Sequence, residues 1–315
     1  MSFPPAATQR LRDGTADHDL MFASSLTATN LAAAAPDPQL PTADVLFGQP
    51  DPEAIKSAAS VRWTHLTSAG YERYDRPDLR SALAQRGSAL TNSSSVYMEP
   101  CAEHALAMIL SLARRLPTAF ENQFGNRAWP AAPIRAESHL LTGQTILLLG
   151  YGAIARRLAE LLQPFRMSVI AIRRNVKGDE TVAAYPESRV DELLAQADHV
   201  MNILPGGGAT QTFMTAPRFA LMKPTAIFYN IGRGGTIDQD ALLAALNNRR
   251  IAAAYLDVTS PEPLPPDHPL WTIPNCFITP HTAGGHHDEH LRLVQHFLDN
   301  LHRFATGGTL VDRVI

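Results

Sequence analysis

Residues 146–155, ILLLGYGAIA, constrain the fold of this chain more than any other segment. An apolar run of strand length ends on Gly150, Gly152 and Ala155 follow, and residues 156–162 then carry the apolar spacing of an amphipathic helix. A strand that is apolar on both faces and turns at once into a helix belongs inside a parallel sheet, because parallel neighbours are joined through crossover connections. Gly150 permits the sharp turn, and Gly152 lets the backbone come close to a pyrophosphate. The small side chain of Ala155 lets helix and strand pack tightly. The helix start, with Tyr151, Ala153 and Ile154 around it, offers spare N–H groups and the positive end of the helix dipole to phosphates. The pattern predicts a dinucleotide-binding unit.

The rest of the chain alternates in the same way. Strand-like runs at 145–149, 168–172, 199–203, 226–230, 252–257 and 276–279 are separated by other segments, several of them helical in pattern. A smaller set at 19–23, 44–48, 62–67 and 89–91 precedes them, with helical stretches at 51–59 and 76–86. The expected fold class is α/β, with two doubly wound, Rossmann-like domains built on parallel sheets. A length of 315 residues suits two such domains. Residues 99–116 carry apolar side chains at helical spacing and predict a long, mostly buried helix leading from one domain to the next. A loop containing Pro and Trp follows at 122–138. Residues 1–19 read as a partly loose lead-in to the first strand, and 288–304 as a closing amphipathic helix stopped by Gly307 and Gly308.

Composition removes several function classes. A hydrophobic fraction of 45% with 18% charged residues is that of a globular protein with ample core. A net charge of −3 leaves no footprint for nucleic acid or an anionic membrane, so an anionic ligand must be caught by a few placed cations. No apolar run approaches the roughly 20 residues that span a bilayer, residues 1–19 lack the apolar core of a secretion signal, and a cytoplasmic location is expected. Cys101 and Cys276 stand alone. His286, His287 and His290 lack acidic partners at ligand spacing and read as solvated histidines at a helix start, so no metal is expected.

Five further positions carry chemistry. After the run 168–172, where an acidic residue would accept from the 2′-OH of NAD, the chain has Arg173 and Arg174. Arginines match a 2′-phosphate in charge and geometry, so NADP(H) is the expected cofactor, with NAD(H) possible. Arg233 in NIGRGGTID, Glu262 in LDVTSPEPLP and His281 in ITPHTAGG each lie just beyond a strand-like run, where open α/β sheets place their ligands. Singly, each is an ordinary surface residue.

Taken together and in order, these motifs resemble the D-isomer-specific 2-hydroxyacid dehydrogenase family, which contains glyoxylate/hydroxypyruvate reductases. The resemblance rests on LTSAGYERY (66–74), LTNSSSVYMEPCAEHALAMILSLAR (90–114), LLLGYGAIA (147–155), MKPTAIFYNIGRGGTIDQDAL (222–242), LDVTSPEPLPPDHPLW (256–271), ITPHTAG (278–284) and FLDNLHRF (297–304).

The resemblance implies interconversion of a small 2-keto acid and its D-2-hydroxy acid in an active-site cleft between the domains. Arg233 would hold the carboxylate and polarise the ketone, and His281 would be the acid and base. Glu262 would pair with His281 and raise its pKa. It further implies that Pro205, Ile231, Gly232, Asp257 and Gly284 lie against the cofactor, with Asp257 on the nicotinamide carboxamide. Backbone N–H groups of Ser68, Ala69 and Gly70 would hold the substrate carboxylate, and Glu103 and His104 would be structural. Residues 1–98 completed by 290–315 would be the substrate domain and 99–289 the dinucleotide domain. A homodimer through the long helix and the loop after it is implied as well. The run Gly206-Gly207-Gly208 departs from the family pattern and puts flexibility beside the cofactor, while Glu262 argues against a formate dehydrogenase, which has Gln there. Two other readings stay open: an NAD-specific D-lactate or phosphoglycerate dehydrogenase, and a nucleotide-sensing, corepressor-like binding protein.

Overall fold

Every strand pairing in the computed structural model, which describes residues 3–24 and 37–315, is parallel. That outcome follows from apolar runs separated by helices, which become neighbours through crossovers. The chain divides into two units, Met1–Tyr97 with Gly285–Ile315, and Met98–Gly284.

In the first unit, β1 (Val45–Gly48), β2 (Trp63–Leu66) and β3 (Ala89–Thr91) pair in chain order. Trp63 lies at the centre of an aromatic stack, with its ring 5.4 Å from Phe297, which in turn stacks 4.2 Å from Phe47. Phe297 belongs to the helix Glu289–Ala305, whose buried Leu293, Val294, Phe297 and Leu301 form one stripe. Against the same cluster packs a helix at Pro5–Gly14, through Ala7 and Leu11. The expectation of a loose lead-in at 1–19 is therefore corrected, with residues 1 and 2 outside the described residues. Two apolar side chains one turn apart were enough to seat a helix in a polar-looking stretch. The expected strand at 19–23 does not form either. Leu20 packs onto the core, but Met21 and Phe22 both stay exposed, so the run buries too little to join the sheet.

Residues 311–315 cover the free edge of β3: Val314 N–H donates to Leu90 at 2.9 Å, Leu90 N–H to Ile315, and Asn92 N–H to Asp312. Asp312, in the left-handed region at φ +58, turns its carboxylate onto Ser95 and accepts from its N–H at 2.7 Å and its hydroxyl at 2.9 Å. It caps the long helix Ser94–Ala113 from 217 residues away. Its other neighbour is His296, 3.1 Å off. Burial alone would push the Asp312 carboxyl up, but the His296 and Ser95 hydrogen bonds outweigh it and hold the group below the usual range.

The second unit holds β4 (Thr145–Leu149), β5 (Ser168–Ile172), β6 (Ala183–Tyr185), β7 (His199–Asn202), β8 (Ile227–Asn230), β9 (Ala253–Leu256) and β10 (Cys276–Ile278), in the order β10-β9-β8-β7-β4-β5-β6. The chain builds outward from β4 to β6, then restarts on the other side at β7, which leaves a topological switch point beyond the ends of β4 and β7. Alternate residues of β4 feed opposite faces, Leu147 and Leu149 one core, Ile146 and Leu148 the other. The second core is completed by Ala102, Ala105, Met108, Ile109 and Leu112 of the long helix. That helix begins at Ser94 rather than 99 and runs through Pro100. It stops at Ala113; Arg115, at φ +56, breaks the path, and a separate helix Leu116–Phe124 follows. The expected loop at 122–138 contains a further helix, Ala131–Glu137. Among the described residues no helix is long and apolar enough to cross a membrane.

The distant cap on the long helix is open to measurement. Asp312→Asn keeps a residue that tolerates the left-handed backbone but removes the charge from Ser95 and His296. It should cost about 1–2 kcal/mol in urea unfolding at neutral pH. An unchanged midpoint would mean that the cap contributes nothing.

Candidate active site

The switch point is shaped by its glycines. Gly150 adopts φ +101, and a Cβ there would stand 3.3 Å from the carbonyl oxygen of Ile203, just past β7. After the turn, Gly152 caps the helix Ala153–Leu162 with no side-chain hydrogen bond. A helix start leaves its first N–H groups without intrahelical acceptors. The space a Cβ of Gly152 would fill is open to 4 Å. An uncapped helix start facing open space fits a dinucleotide pyrophosphate, held by the backbone around Gly152, Ala153 and Ile154. Ala155 is fully buried against the sheet. Tyr151 is also buried, its hydroxyl 2.8 Å from that of Thr181, with the Arg156 guanidinium over its ring.

Arg173 and Arg174 lie at the end of β5 but differ in their surroundings. The Arg173 N–H donates to Tyr185 of β6, and its guanidinium donates to Asp179 at 2.8 Å and to Glu180. Arg174 is exposed and makes no hydrogen bond or ion pair to the described residues.

Three loops at the ends of β8, β9 and β10 carry the remaining candidates. The first is held by a buried amide pair that motif reading did not single out. Asn202, the last residue of β7, donates to Asn230 at 3.0 Å and to the Thr236 hydroxyl at 2.7 Å. Asn230 accepts from Gly232 N–H and donates to the Arg233 carbonyl, and Thr236 donates to the same carbonyl. Arg233 is thereby fixed by its backbone. Its guanidinium is half-buried and donates to the Gly232 carbonyl at 2.8 Å. Ile231 is buried and donates to Asn202. The Pro205 carbonyl accepts from the Thr210 hydroxyl, which orders the stretch through Gly206, Gly207 and Gly208.

Gly234 joins the first loop to the second. A Cβ there would be 1.8 Å from the carbonyl oxygen of Thr259, so the backbones touch where only glycine fits. Gln239 adds a two-way clamp on Ser260, donating to its carbonyl and accepting from its N–H. Two residues further on, Glu262 places a carboxylate oxygen 2.6 Å from His281 Nδ1. A proton shared on Nδ1 leaves Nε2 to exchange one with a ligand.

The third loop hangs on Asp257. This buried carboxylate accepts from the Thr279 hydroxyl at 2.7 Å and from the N–H groups of Thr282 and Ala283 at 2.9 and 3.1 Å, while its carbonyl accepts from His281 N–H. His281 sits between those anchors at φ +52, a conformation that persists where its surroundings over-determine it. The structure thus gives Asp257 the task of shaping this loop. His104 reaches the same knot from the long helix, its Nε2 3.2 Å from the Thr279 hydroxyl and 3.7 Å from Asp257. Gly284 ends the loop. The His281 pKa lies above the ordinary histidine value. The Glu262 hydrogen bond is the main cause, opposed by burial and by the nearby charge of Arg233.

Ser68, Ala69 and Gly70 follow β2 in the first unit. Their loop is braced by Gln49 donating to Ser68, Asn92 to the Ala69 carbonyl and Tyr97 to the Thr67 carbonyl. The signal for Asn202 and Asn230 was present in the sequence: each ends an apolar strand, and a buried amide demands a partner. Which partner it takes is a property of the sheet order.

Comparison with known proteins finds relatives of this chain. The model of the family described as D-isomer specific 2-hydroxyacid dehydrogenase, NAD binding domain, matches residues 106–283. A glyoxylate reductase of Aeropyrum pernix is 34% identical over 82% of this chain and 77% of its own length. The human glyoxylate reductase/hydroxypyruvate reductase is 36% identical over 65% of this chain and 63% of its own. Among solved structures, an NADPH-dependent glyoxylate/hydroxypyruvate reductase from Sinorhizobium meliloti, in complex with NADP and malonate, is similar at 27% identity and a TM-score of 0.70, covering 86% of this chain and 82% of that one.

The pairing of Glu262 with His281 can be read without any ligand. Titration of the His281 ring by NMR should give a pKa above the ordinary histidine value, and Glu262→Gln should bring it down. An unmoved titration would show that the contact does not govern the imidazole.

Proposed function

We propose that this chain, which belongs to the D-isomer specific 2-hydroxyacid dehydrogenase family and is an NAD(P)-dependent oxidoreductase, reduces glyoxylate or hydroxypyruvate to the 2-hydroxy acid with NADPH. The observation that carries the reading is the 2.6 Å contact between Glu262 and His281, on a loop braced against the one that bears Arg233.

Bound NAD(P)H supplies the hydride. The Arg233 guanidinium binds the carboxylate of the keto acid and draws electron density onto the ketone oxygen. As that carbon becomes tetrahedral, His281 Nε2 donates the proton that the oxygen needs. Glu262 stabilises the imidazolium beforehand and fixes the ring through Nδ1. In the oxidative direction the neutral imidazole takes the hydroxyl proton. Ser68, Ala69 and Gly70 are assigned a share of the carboxylate through their N–H groups. Residues 1–98 with 290–315 are read as the substrate-binding part and 99–289 as the cofactor-binding part.

Arg173 and Arg174 support NADP(H), as does the NADP bound in the Sinorhizobium relative. NAD(H) is the second reading, favoured by the carboxylates that Arg173 already holds. A homodimer is part of the proposal too. Phe120, Phe124, Trp129 and Leu140 lie exposed on and after the helix Leu116–Phe124, Phe124 and Trp129 more than four-fifths so, and a second copy of this chain would cover them.

Assay of glyoxylate, hydroxypyruvate, pyruvate and 3-phosphohydroxypyruvate with both cofactors tests the reading. Arg233→Ala should lower kcat/KM by roughly 10²–10³; near-parental turnover would exclude the assigned role. Reduction requires the imidazolium, so its rate should hold below the raised His281 pKa and fall as pH climbs through it. Glu262→Gln should move that falling limb to lower pH. In sedimentation, the parent should run as a dimer and Trp129→Glu combined with Phe124→Glu as a monomer. A parent that is already monomeric would remove the dimer.

A further inference from the structure

We propose that the Asp179 carboxylate is a built-in occupant of the place taken by the 2′-phosphate of NADP(H), and that its displacement sets how far the chain distinguishes NADPH from NADH. This rests on the cofactor reading above.

The two acids that hold Arg173 are not equivalent. Glu180 is an anchor. Its side chain is only 3% exposed, and besides Arg173 it accepts from the backbone N–H groups of Lys177 at 2.9 Å and Gly178 at 2.8 Å. The Lys177 N–H is the main reason its pKa falls to about 2, with Arg173 and Gly178 adding to it against the cost of burial. Asp179 is 53% exposed, and among the described residues it is held by Arg173 Nη1 at 2.8 Å and Arg156 Nη2 at 3.3 Å, with no backbone donor.

Those two arginines come from different elements. Arg173 ends β5, where a sheet of this order meets the adenosine ribose. Arg156 stands on the helix whose start faces the pyrophosphate. Two guanidinium groups therefore converge on one solvent-facing anion at the ribose corner. The segment bearing that anion is latched to the glycine loop by Thr181 on Tyr151, and Arg156 lies over the same Tyr151 ring.

A 2′-phosphate brings a charge of about −1.5 to −2 and three acceptor oxygens to a place now held by one carboxylate. Exposed ion pairs are weak, so Asp179 yields and turns to solvent, while Glu180 keeps Arg173 aimed. A ribose 2′-OH brings no charge, and Asp179 stays. The acid thus weakens NADPH binding by competition and leaves NADH almost untouched.

Calorimetric titration of the full chain with NADPH, NADH, 2′,5′-ADP and 5′-AMP tests this without turnover. Asp179→Asn should tighten NADPH and 2′,5′-ADP about five- to tenfold, and change NADH and 5′-AMP by less than about twofold, with the gain shrinking as salt is raised. Glu180→Gln should loosen the phosphate-bearing ligands, because Arg173 loses its anchor. If both acids merely added background charge, the two variants would tighten NADPH alike, and that result overturns the proposal, as does an Asp179→Asn variant with unchanged NADPH affinity. Arg173→Ala separates the two levels. NADPH loosened by Arg173→Ala but unaffected by Asp179→Asn ends this inference alone, whereas NADPH indifferent to Arg173→Ala ends the cofactor reading and the inference with it.

Discussion

The buried carboxylate of Asp257 is the constraint on which the rest of the site depends. A carboxylate taken out of water must be given donors, and here a hydroxyl and two backbone N–H groups from residues 279–283 meet that need. Satisfying one buried charge therefore dictates the path of a whole loop. His281 inherits its backbone conformation from that path, and its ring is oriented through Nδ1 by Glu262. The chemistry of the imidazole is thus set from two sides, its position from beneath and its basicity from the partner carboxylate.

The neighbouring loops are joined by a different principle, close approach. Gly234 and Thr259 touch backbone to backbone, and the amides of Asn202 and Asn230 tie the ends of β7 and β8 to the turn that carries Arg233. Three side chains distant in sequence are carried by loops that share hydrogen bonds and contact surfaces. Displacement of one loop is resisted by the other two, which is what a site must do to keep a proton donor aligned with an acceptor.

Much of this was legible in the amino-acid order. Strands β4, β7, β8 and β9 are buried along most of their length, β5 and β10 in part, and all read as apolar runs; residues 233, 262 and 281 could be marked because each stands just past such a run. The sheet order and the mutual positions of those residues could not be read, because they depend on crossovers that leave no local trace. Strand β6, Ala-Ala-Tyr, is too short to carry a period. The helix Pro5–Gly14 is set by tertiary packing of two apolar side chains, Ala7 and Leu11, rather than by any strong local preference, and the apolar run at 19–23 shows the reverse, a strand-like pattern with too little burial to act on it. The apolar spacing marked the long helix only from residue 99, whereas its true start at Ser94 is capped by an aspartate more than two hundred positions downstream, which leaves no local trace.

The interrupted layout of the first unit has a consequence for biosynthesis. Residues 98–284 form one uninterrupted stretch, so that sheet holds all its strands as soon as they leave the ribosome. The other sheet is begun earlier but must wait, because the helix that backs Trp63, the aspartate that caps Ser95 and the residues that cover β3 all emerge after the second unit. During translation, the part of the protein made first is the part finished last, with the edge of β3 and the aromatic face of β2 uncovered in the interval.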